Sequence, residues 1–383
     1  MKDKRRILFV VPSLARSGAE SQVLDLVETL DDSAWRKYLV TFEPGLDQAS
    51  RLERREVDFR PLRRWGAIDL RLALKVARLI DDEDIQVVHA TLSIAVLVAW
   101  MGRMLSRRQP PLVAAIHTTL SRDRKNEVAN WLVYRPILRR CQRVLFISHQ
   151  QRSHWLRRLP GVEAHSGVVH NGIDVQRYIR GGDSVGGTDV PAPAPSGKIV
   201  ACVAAFRPEK GHTVLLDAWQ AVLKDHPDAV LYLVGAGPLQ ETVRKLVQER
   251  SLTGSVVFTG SVEDVRTVLA MARVTVLSSV AVETFSLAAL ESMAMEVPVV
   301  ATNIGGMSEV VLDGRTGLLV PPNDVGELAG AICRVLTDEA WAAWMGQNAR
   351  ARVVEHFDRR VMARRTEEFL LDIFDDDMVF QDG

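Results

Sequence analysis

The sequence predicts an α/β protein built as two Rossmann-like domains, each a doubly wound parallel sheet. Three observations carry this expectation. Short β-branched apolar runs alternate with longer stretches of helical periodicity along most of the chain. The runs are apolar throughout rather than at every second residue, as strands covered by helices on both faces must be. A stretch rich in Gly, Pro, Ala and Ser, "RGGDSVGGTDVPAPAPSGK" at 180–198, divides the runs into two sets and cannot build a core of its own.

In chain order, the first domain takes its strands from "RILFVVPS", "YLVTFE", "VVHATLS", "LVAAIHT", "RVLFIS" and "GVVHNGI". The basic start "MKDKRR" leads into an apolar run broken by Pro12, which suits a first core strand better than a signal peptide. The second domain takes "KIVACVAAF", "AVLYLVGAG", "SVVFTGS", "RVTVLSS" and "VPVVATN". The closing segment "HFDRRVMARRTEEFLLDIF" has apolar residues at helical spacing and is expected to pack back on the first domain. The domains then run over 1–175, completed by a helix at about 362–383, and over 176–361. A ligand is expected in a cleft at the carboxyl ends of both sheets.

Composition excludes several classes. With 383 residues, 47% hydrophobic and 25% charged, the chain suits an ordinary globular protein. Cys141, Cys202 and Cys333 lie far apart, so neither a disulfide framework nor a zinc knot is indicated, and a reducing cytoplasm is the simplest expectation. The most apolar later run, "LSIAVLVAWMG" at 92–102, is too short to cross a bilayer. Residues 1–190 hold 31 Lys and Arg against 22 Asp and Glu, which leaves 17 against 26 of the 48 and 48 totals for the remainder. A basic first half steers anionic partners, and an anionic membrane surface is the expected one; no nucleic-acid partner is expected. The segment "RDRKNEVANWLVYRPILRRCQRV" fits a helix lying on such a membrane, and equally a half-buried amphipathic helix.

The chemistry-bearing residues cluster in the second half. In "VETFSLAALESMAMEVPVV" two glutamates, Glu283 and Glu291, stand eight apart in an apolar run, and carboxylates in such company need partners. Reading "SLAALESMAM" as a helix puts Glu283 just before it and Glu291 about two turns in, roughly 12 Å away if the run were helical throughout. The backbone N–H groups of Phe285, Ser286 and Leu287 would then make a helix N-terminal seat for a diphosphate. Standing alone, the stretch also reads as a helix with a solvated Glu stripe. Arg207 and Lys210 in "VAAFRPEKGH" follow a strand and could neutralise a leaving diphosphate. Gly235 and Gly237 in "LYLVGAGPL" read by themselves as a tight turn. Two acidic runs, Asp81–Asp84 and Asp375–Asp377, have D-x-D spacing but fall outside the carboxyl ends of strands and read as solvated charges, so no metal site is expected.

Taken in order, "RSGAE", "AIHT", "VVHNGID", "FRPEKGH", "VGAGPL" and the long block from Ser278 to Asp324 resemble glycosyltransferase family 4, the retaining GT-B enzymes, over nearly the whole chain. The block holds the E-x7-E pair and the "GGMSE" loop at the family separation. The resemblance implies a hexosyltransferase drawing on a nucleotide sugar, UDP-linked, and a glycan or lipid-linked acceptor hydroxyl. No metal cofactor is expected, and the cysteine usage with the basic first half gives the expectation of a cytoplasmic place, peripheral on the membrane's cytoplasmic face. By the same resemblance Glu283 contacts the donor sugar, Glu291 the ribose, Arg207 and Lys210 the diphosphate, and His117 the sugar from the first domain. Gly18 would let backbone approach the phosphate and acceptor, and Gly237 joins the donor-binding set. His89 would line the acceptor side. The sequence departs from the pattern at Ala205, where an arginine is usual, at Glu296–Val297, where a glycine is usual, and at Ser17, where the first of two glycines is common. A GT-B epimerase or hydrolase, or an inactive nucleotide-binding subunit, would share the fold.

Overall fold

A computed structural model describes residues 4–53, 55–66, 69–117, 132–181 and 198–379, with side chains as far as Phe374. It forms two compact units: residues 1–172 together with 359–383, and residues 173–358. The Gly/Pro-rich stretch lies, but for its ends, outside the described residues.

The first unit carries seven parallel strands, β1 (Arg5–Val10), β2 (Trp35–Thr41), β3 (Val57–Pro61), β4 (Val87–Thr91), β5 (Leu112–Ile116), β6 (Arg143–Phe146) and β7 (Ser166–Val168). Their order is β3-β2-β1-β4-β5-β6-β7. Along β1 the side chains alternate between two cores: Ile7 and Phe9 pack on one face, Leu8 and Val10 on the other. This is why the run reads as uniformly apolar.

One face is covered by the helices Leu70–Asp82 and Ser93–Leu105. The other is covered by the helix Gly18–Thr29 and by the last helix, Arg359–Val379, whose Met362, Ala363, Leu370 and Ile373 enter the core. The return is fixed by polar contacts as well, since Arg359 bonds Glu28 at 3.2 Å and Trp35 donates its indole N–H to Glu367 at 2.8 Å. Lys37, wholly buried on β2, donates its ammonium to the Val27 and Leu30 carbonyls and so closes the carboxyl end of the first helix.

The second unit has six parallel strands, β8 (Ile199–Val203), β9 (Val230–Val234), β10 (Val256–Gly260), β11 (Val274–Leu277), β12 (Val299–Thr302) and β13 (Gly317–Val320), ordered β10-β9-β8-β11-β12-β13. Both sheets are doubly wound, the second reversing direction between β8 and β11 and the first between β1 and β4.

Sequence periodicity missed β3 and β13. Both are edge strands; β3 is only half-buried along its length and ends on Pro61, and β13 has four residues with a single β-branched one. "GVVHNGI" in turn supplies only the end of a three-residue strand, after which the chain leaves the sheet.

The glycine expected before "PVV" has a backbone reason. Glu296 sits just beyond the helix Leu287–Ala294 at φ +58°, the left-handed conformation that ends a helix and suits glycine. Among the described residues its side chain has only Arg350, at 3.9 Å, to compensate. Glu296→Gly is therefore expected to raise stability by about 0.5–1 kcal/mol, read by chemical unfolding and by slower amide exchange in that helix. A loss would mean that the Arg350 contact outweighs the backbone strain.

Candidate functional site

The reversal between β8 and β11 leaves two loops, 204–211 and 278–286, diverging at the carboxyl edge of the second sheet. Ser278 laces them together, its hydroxyl donating to the Lys210 and Gly211 carbonyls at 3.0 and 3.2 Å, and the Val280 N–H reaches the Glu209 carbonyl at 2.8 Å. The loops lie so close that a side chain on Gly211, at φ +66°, would meet the Ser278 carbonyl oxygen at 2.0 Å. Gly305, at φ +57°, is under the same constraint, since its Cβ would fall 1.9 Å from the Glu283 carbonyl oxygen that Gly306 N–H holds at 3.1 Å. Nothing larger than glycine fits at either place without moving a site loop.

Between these loops Glu283 is 8% exposed. Its carboxylate accepts from Lys210 Nζ at 2.6 Å and from Ser279 Oγ at 2.8 Å, which compensates a charge that burial would otherwise penalise. The guanidinium of Arg207, half-buried three residues before Lys210, has no hydrogen bond or ion pair among the described residues. One cation is thus held by a carboxylate and its neighbour is left for a ligand. Ala205 carries no charge, so these two are the basic groups of the 204–211 loop.

The helix itself starts at Leu287 rather than before it, with Ser286 as N-cap accepting from Ala289 N–H at 3.3 Å. Glu291 is consequently little more than one turn in, and the fully helical run on which the 12 Å spacing is conditional is not formed, because residues 283–286 lie outside the helix. The Phe285 ring is buried edge-on against Phe357. Glu291 accepts a hydrogen bond from the Tyr178 hydroxyl at 2.8 Å. Burial first, and then the nearby carboxylate, push the Tyr178 hydroxyl well above its ordinary range, so it acts as a donor at every physiological pH. Gly237 turns the chain after β9 and packs on Phe206, whose backbone oxygen would lie 2.6 Å from a Cβ there. The glycine thereby seats the loop that carries the two cations.

In the first unit, Gly18 is the exposed first residue of the helix after β1, and Ser17 is its N-cap. Ser13 and Ser17 both bond the buried Glu20 of the first turn, whose carboxyl is pushed up by burial. His117 follows β5 and His89 lies inside β4 against the Phe9 ring, centroids 5.4 Å apart. Burial lowers His89 to about 4, and burial together with repulsion from His89 lowers His117 to about 3. Both imidazoles are neutral at pH 7, hydrogen-bonding groups rather than charges.

Of the acidic runs, Asp81 is bound by Ser106 and Asp84 by Arg6, at the amino edge of the first sheet, and the side chains of 375–377 lie outside the described residues. Sequence reasoning missed Tyr178, Ser279 and Gly211. Ser279 stands four residues before Glu283 and was within reach of a local reading; Tyr178 is 113 residues from Glu291 and was not.

The chain is similar to known glycosyltransferases in sequence and in fold. The family description "Glycosyltransferase Family 4" matches residues 16–177 and "Glycosyl transferases group 1" matches residues 197–338. A GDP-mannose-dependent alpha-(1-6)-phosphatidylinositol monomannoside mannosyltransferase of Mycolicibacterium smegmatis is 29% identical over 316 residues, 78% of this chain and 80% of that protein. An N-acetyl-alpha-D-glucosaminyl L-malate synthase of Bacillus anthracis is 28% identical over 312 residues, 81% of this chain and 80% of that one. In fold the chain is similar to Anabaena HepE, solved with UDP and glucose, at a TM-score of 0.79 and 22% identity over 95% of this chain and 98% of that one. The sucrose-phosphate synthase of Thermosynechococcus elongatus gives a TM-score of 0.75 at 24% identity, covering 97% and 99%.

The buried histidines predict a pH dependence. His212, stacked on Phe206 at 4.5 Å, is also lowered by burial to about 4 from an ordinary 6.5. Between those values the unfolded chain binds more protons than the folded one, so stability falls on acidification through that window, by at most about 1.4 kcal/mol per pH unit for each proton. Glu20 and Asp25, raised by burial, oppose this toward its lower end. Urea unfolding at about pH 6.5 and about pH 5 should show the loss, and His212→Gln should shallow it; an unchanged slope would remove His212 from the account.

Proposed function

The chain belongs to glycosyltransferase family 4, and from that premise we propose that it moves a hexosyl unit from a nucleoside diphospho-sugar to a hydroxyl of a glycan or lipid-linked acceptor, keeping the anomeric configuration. The observation that carries this reading is the Lys210–Glu283 pair at 2.6 Å beside an unengaged Arg207, at the point where the second sheet reverses. Open α/β sheets bind ligands at such a reversal, and two cations there match a diphosphate.

On this reading the second unit holds the donor. Arg207, Lys210 and the N–H groups of Phe285, Ser286 and Leu287 take the diphosphate, Glu283 the sugar hydroxyls and Glu291 the ribose, while Gly237 keeps the cation loop in place. The first unit takes the acceptor, with Gly18 allowing close backbone approach and neutral His117 offering a hydrogen bond to the sugar. HepE, crystallised with UDP, supports a uridine donor. The GDP-mannose in the name of the mycobacterial relative favours a guanosine donor as the second reading. A thermal-shift panel of nucleotide sugars separates them, because a ligand that binds only the folded state raises its melting temperature.

Chemistry follows from what the site would supply. The bond from the anomeric carbon to the phosphate oxygen breaks as the acceptor oxygen bonds the same face, and the acceptor proton passes to the leaving phosphate. Glu283 is already committed to Lys210 and Ser279, which suits a carboxylate that orients hydroxyls better than one that attacks carbon. Charge building on the diphosphate is met by Lys210 and Arg207.

Lys210→Ala should lower turnover about a hundredfold or more, with Arg207→Ala also harmful. Steady-state kinetics with a soluble acceptor measures both, and a silent Lys210→Ala would move the diphosphate elsewhere.

The protein cations also predict a reaction that proceeds in EDTA and a product linkage with the donor's anomeric configuration. Inversion in the NMR spectrum of the product, or activity lost to EDTA and restored by magnesium or manganese, would overturn this mechanism. Free sugar or an epimerised nucleotide in place of a glycosylated product would favour an epimerase or hydrolase.

A further inference from the structure

Among the described residues, the first unit exposes several large apolar side chains on and near the helix Leu70–Asp82. Trp65, in the turn after β3, is 72% exposed, although tryptophan is among the side chains most costly to leave in water. The turn that presents it is ordered. Asp69 accepts the Trp65 N–H at 2.9 Å and at the same time caps the helix Leu70–Asp82 through Arg71 and Leu72 N–H.

That helix has a second apolar line besides the one it buries. Leu72, Ala73, Val76, Leu79 and Ile80 face the core, whereas Leu70 and Leu74, one turn apart, are 62% and 47% exposed. Between residues 62 and 80 the sequence has five cations and one acid, and the acid is the engaged Asp69. Arg71, Lys75 and Arg78 lie on the exposed side with the two leucines, and the Arg63 guanidinium lies 4.2 Å over the Trp65 ring.

A second element of the same unit has the same character. In the helical turn of residues 132–138, the described end of the basic segment that fits a membrane-lying helix, Leu132 is 68% and Val133 45% exposed. Tyr134 of the same turn lies near enough to Arg64, the residue before Trp65, to feel its charge. Residues 132–140 contribute three arginines and no acid.

We propose that Trp65, Leu70 and Leu74, on and just before the helix Leu70–Asp82, form the surface by which this chain docks on an anionic lipid bilayer, with Leu132 and Val133 of the 132–138 turn adding to it. Apolar side chains ringed by cations fit the boundary between headgroups and acyl chains, where tryptophan is favoured and lysine and arginine meet lipid phosphate. A protein partner of ordinary interface chemistry would not call for so one-sided a charge. The use of the surface rests on the membrane-carried acceptor of the reading above; the docking itself does not.

The test is flotation of the full chain with vesicles of phosphatidylcholine, with and without phosphatidylglycerol, at low and high salt. The wild-type chain is expected to float with the anionic vesicles at low salt, and Trp65→Ser combined with Leu70→Ser to reduce its recovery about tenfold. These are exposed residues, and calorimetry with a nucleotide sugar checks that the variant's second unit still binds donor. Bromine-labelled lipid should quench the wild-type tryptophan emission, and Trp65→Phe should remove most of that quenching. Undiminished flotation of the double variant overturns the proposal, as does failure of the wild-type chain to float. So does a wild-type dimer in sedimentation that Trp65→Ser converts to monomer, which would make this a face between copies. Docking that persists in a chain with no transferase activity would remove the catalytic reading and leave the surface standing.

Discussion

The second unit's site depends on one electrostatic requirement, that a carboxylate removed from water must be compensated where it stands. Glu283 meets it through Lys210 and Ser279, and the rest of the loop architecture brings those groups within reach. The lysine comes from the loop after β8 and the glutamate from the loop after β11, so the pair can form only if the two loops nearly touch. Gly211 permits the approach on one side and Gly305 on the other. Ser278 and Val280 then secure it with hydrogen bonds to the opposite backbone. A disturbance at any of these small residues acts on the ion pair, although none of them carries charge.

Burial is met in two ways. Around β8 and β11 charge is kept and paired, as it is where Arg51 holds Asp25 and Glu28 in the first unit, while His89, His117 and the second unit's own His212 are pushed toward the neutral form by burial. A group that must bind a changing anionic charge benefits from the first arrangement; a group that must only donate or accept a hydrogen bond is served by the second. Lys37 shows that the first unit can bury a cation when helix-end carbonyls and the Asp32 carboxylate are there to receive it.

Most of the architecture was legible in the sequence because uniformly apolar β-branched runs between amphipathic stretches leave few folds open. β3 and β13 escaped because an edge strand needs only one neighbour and half a burial, which weakens its composition signal. At the site, Glu283, Lys210 and Arg207 could be named from their place after apolar runs. Their pairing could not be read, since Lys210 and Glu283 are 73 residues apart and meet only through the reversal of the sheet. Tyr178 gave no local sign, as a tyrosine four residues past "NGID" looks like any other anchoring aromatic. The start of the helix at Leu287 was misjudged because Ser286 is a good cap inside a run whose earlier residues have the same apolar character.

The last helix belongs to the first unit, so the second unit is, in chain terms, an insertion within the first. On the ribosome, the first sheet emerges early but lacks the residues 359–374 that cover Val23, Leu26 and Val27 of its own first helix until the final stretch of chain appears. The unit between them has its last helix, Glu339–His356, complete just ahead of that stretch. Order of synthesis and order of completion are thus reversed: the domain made second can close first, and the domain made first waits with an apolar face open for the length of the insertion. The window in which a nascent chain needs shielding is set by where Arg359 falls in the message rather than by the stability of the finished fold.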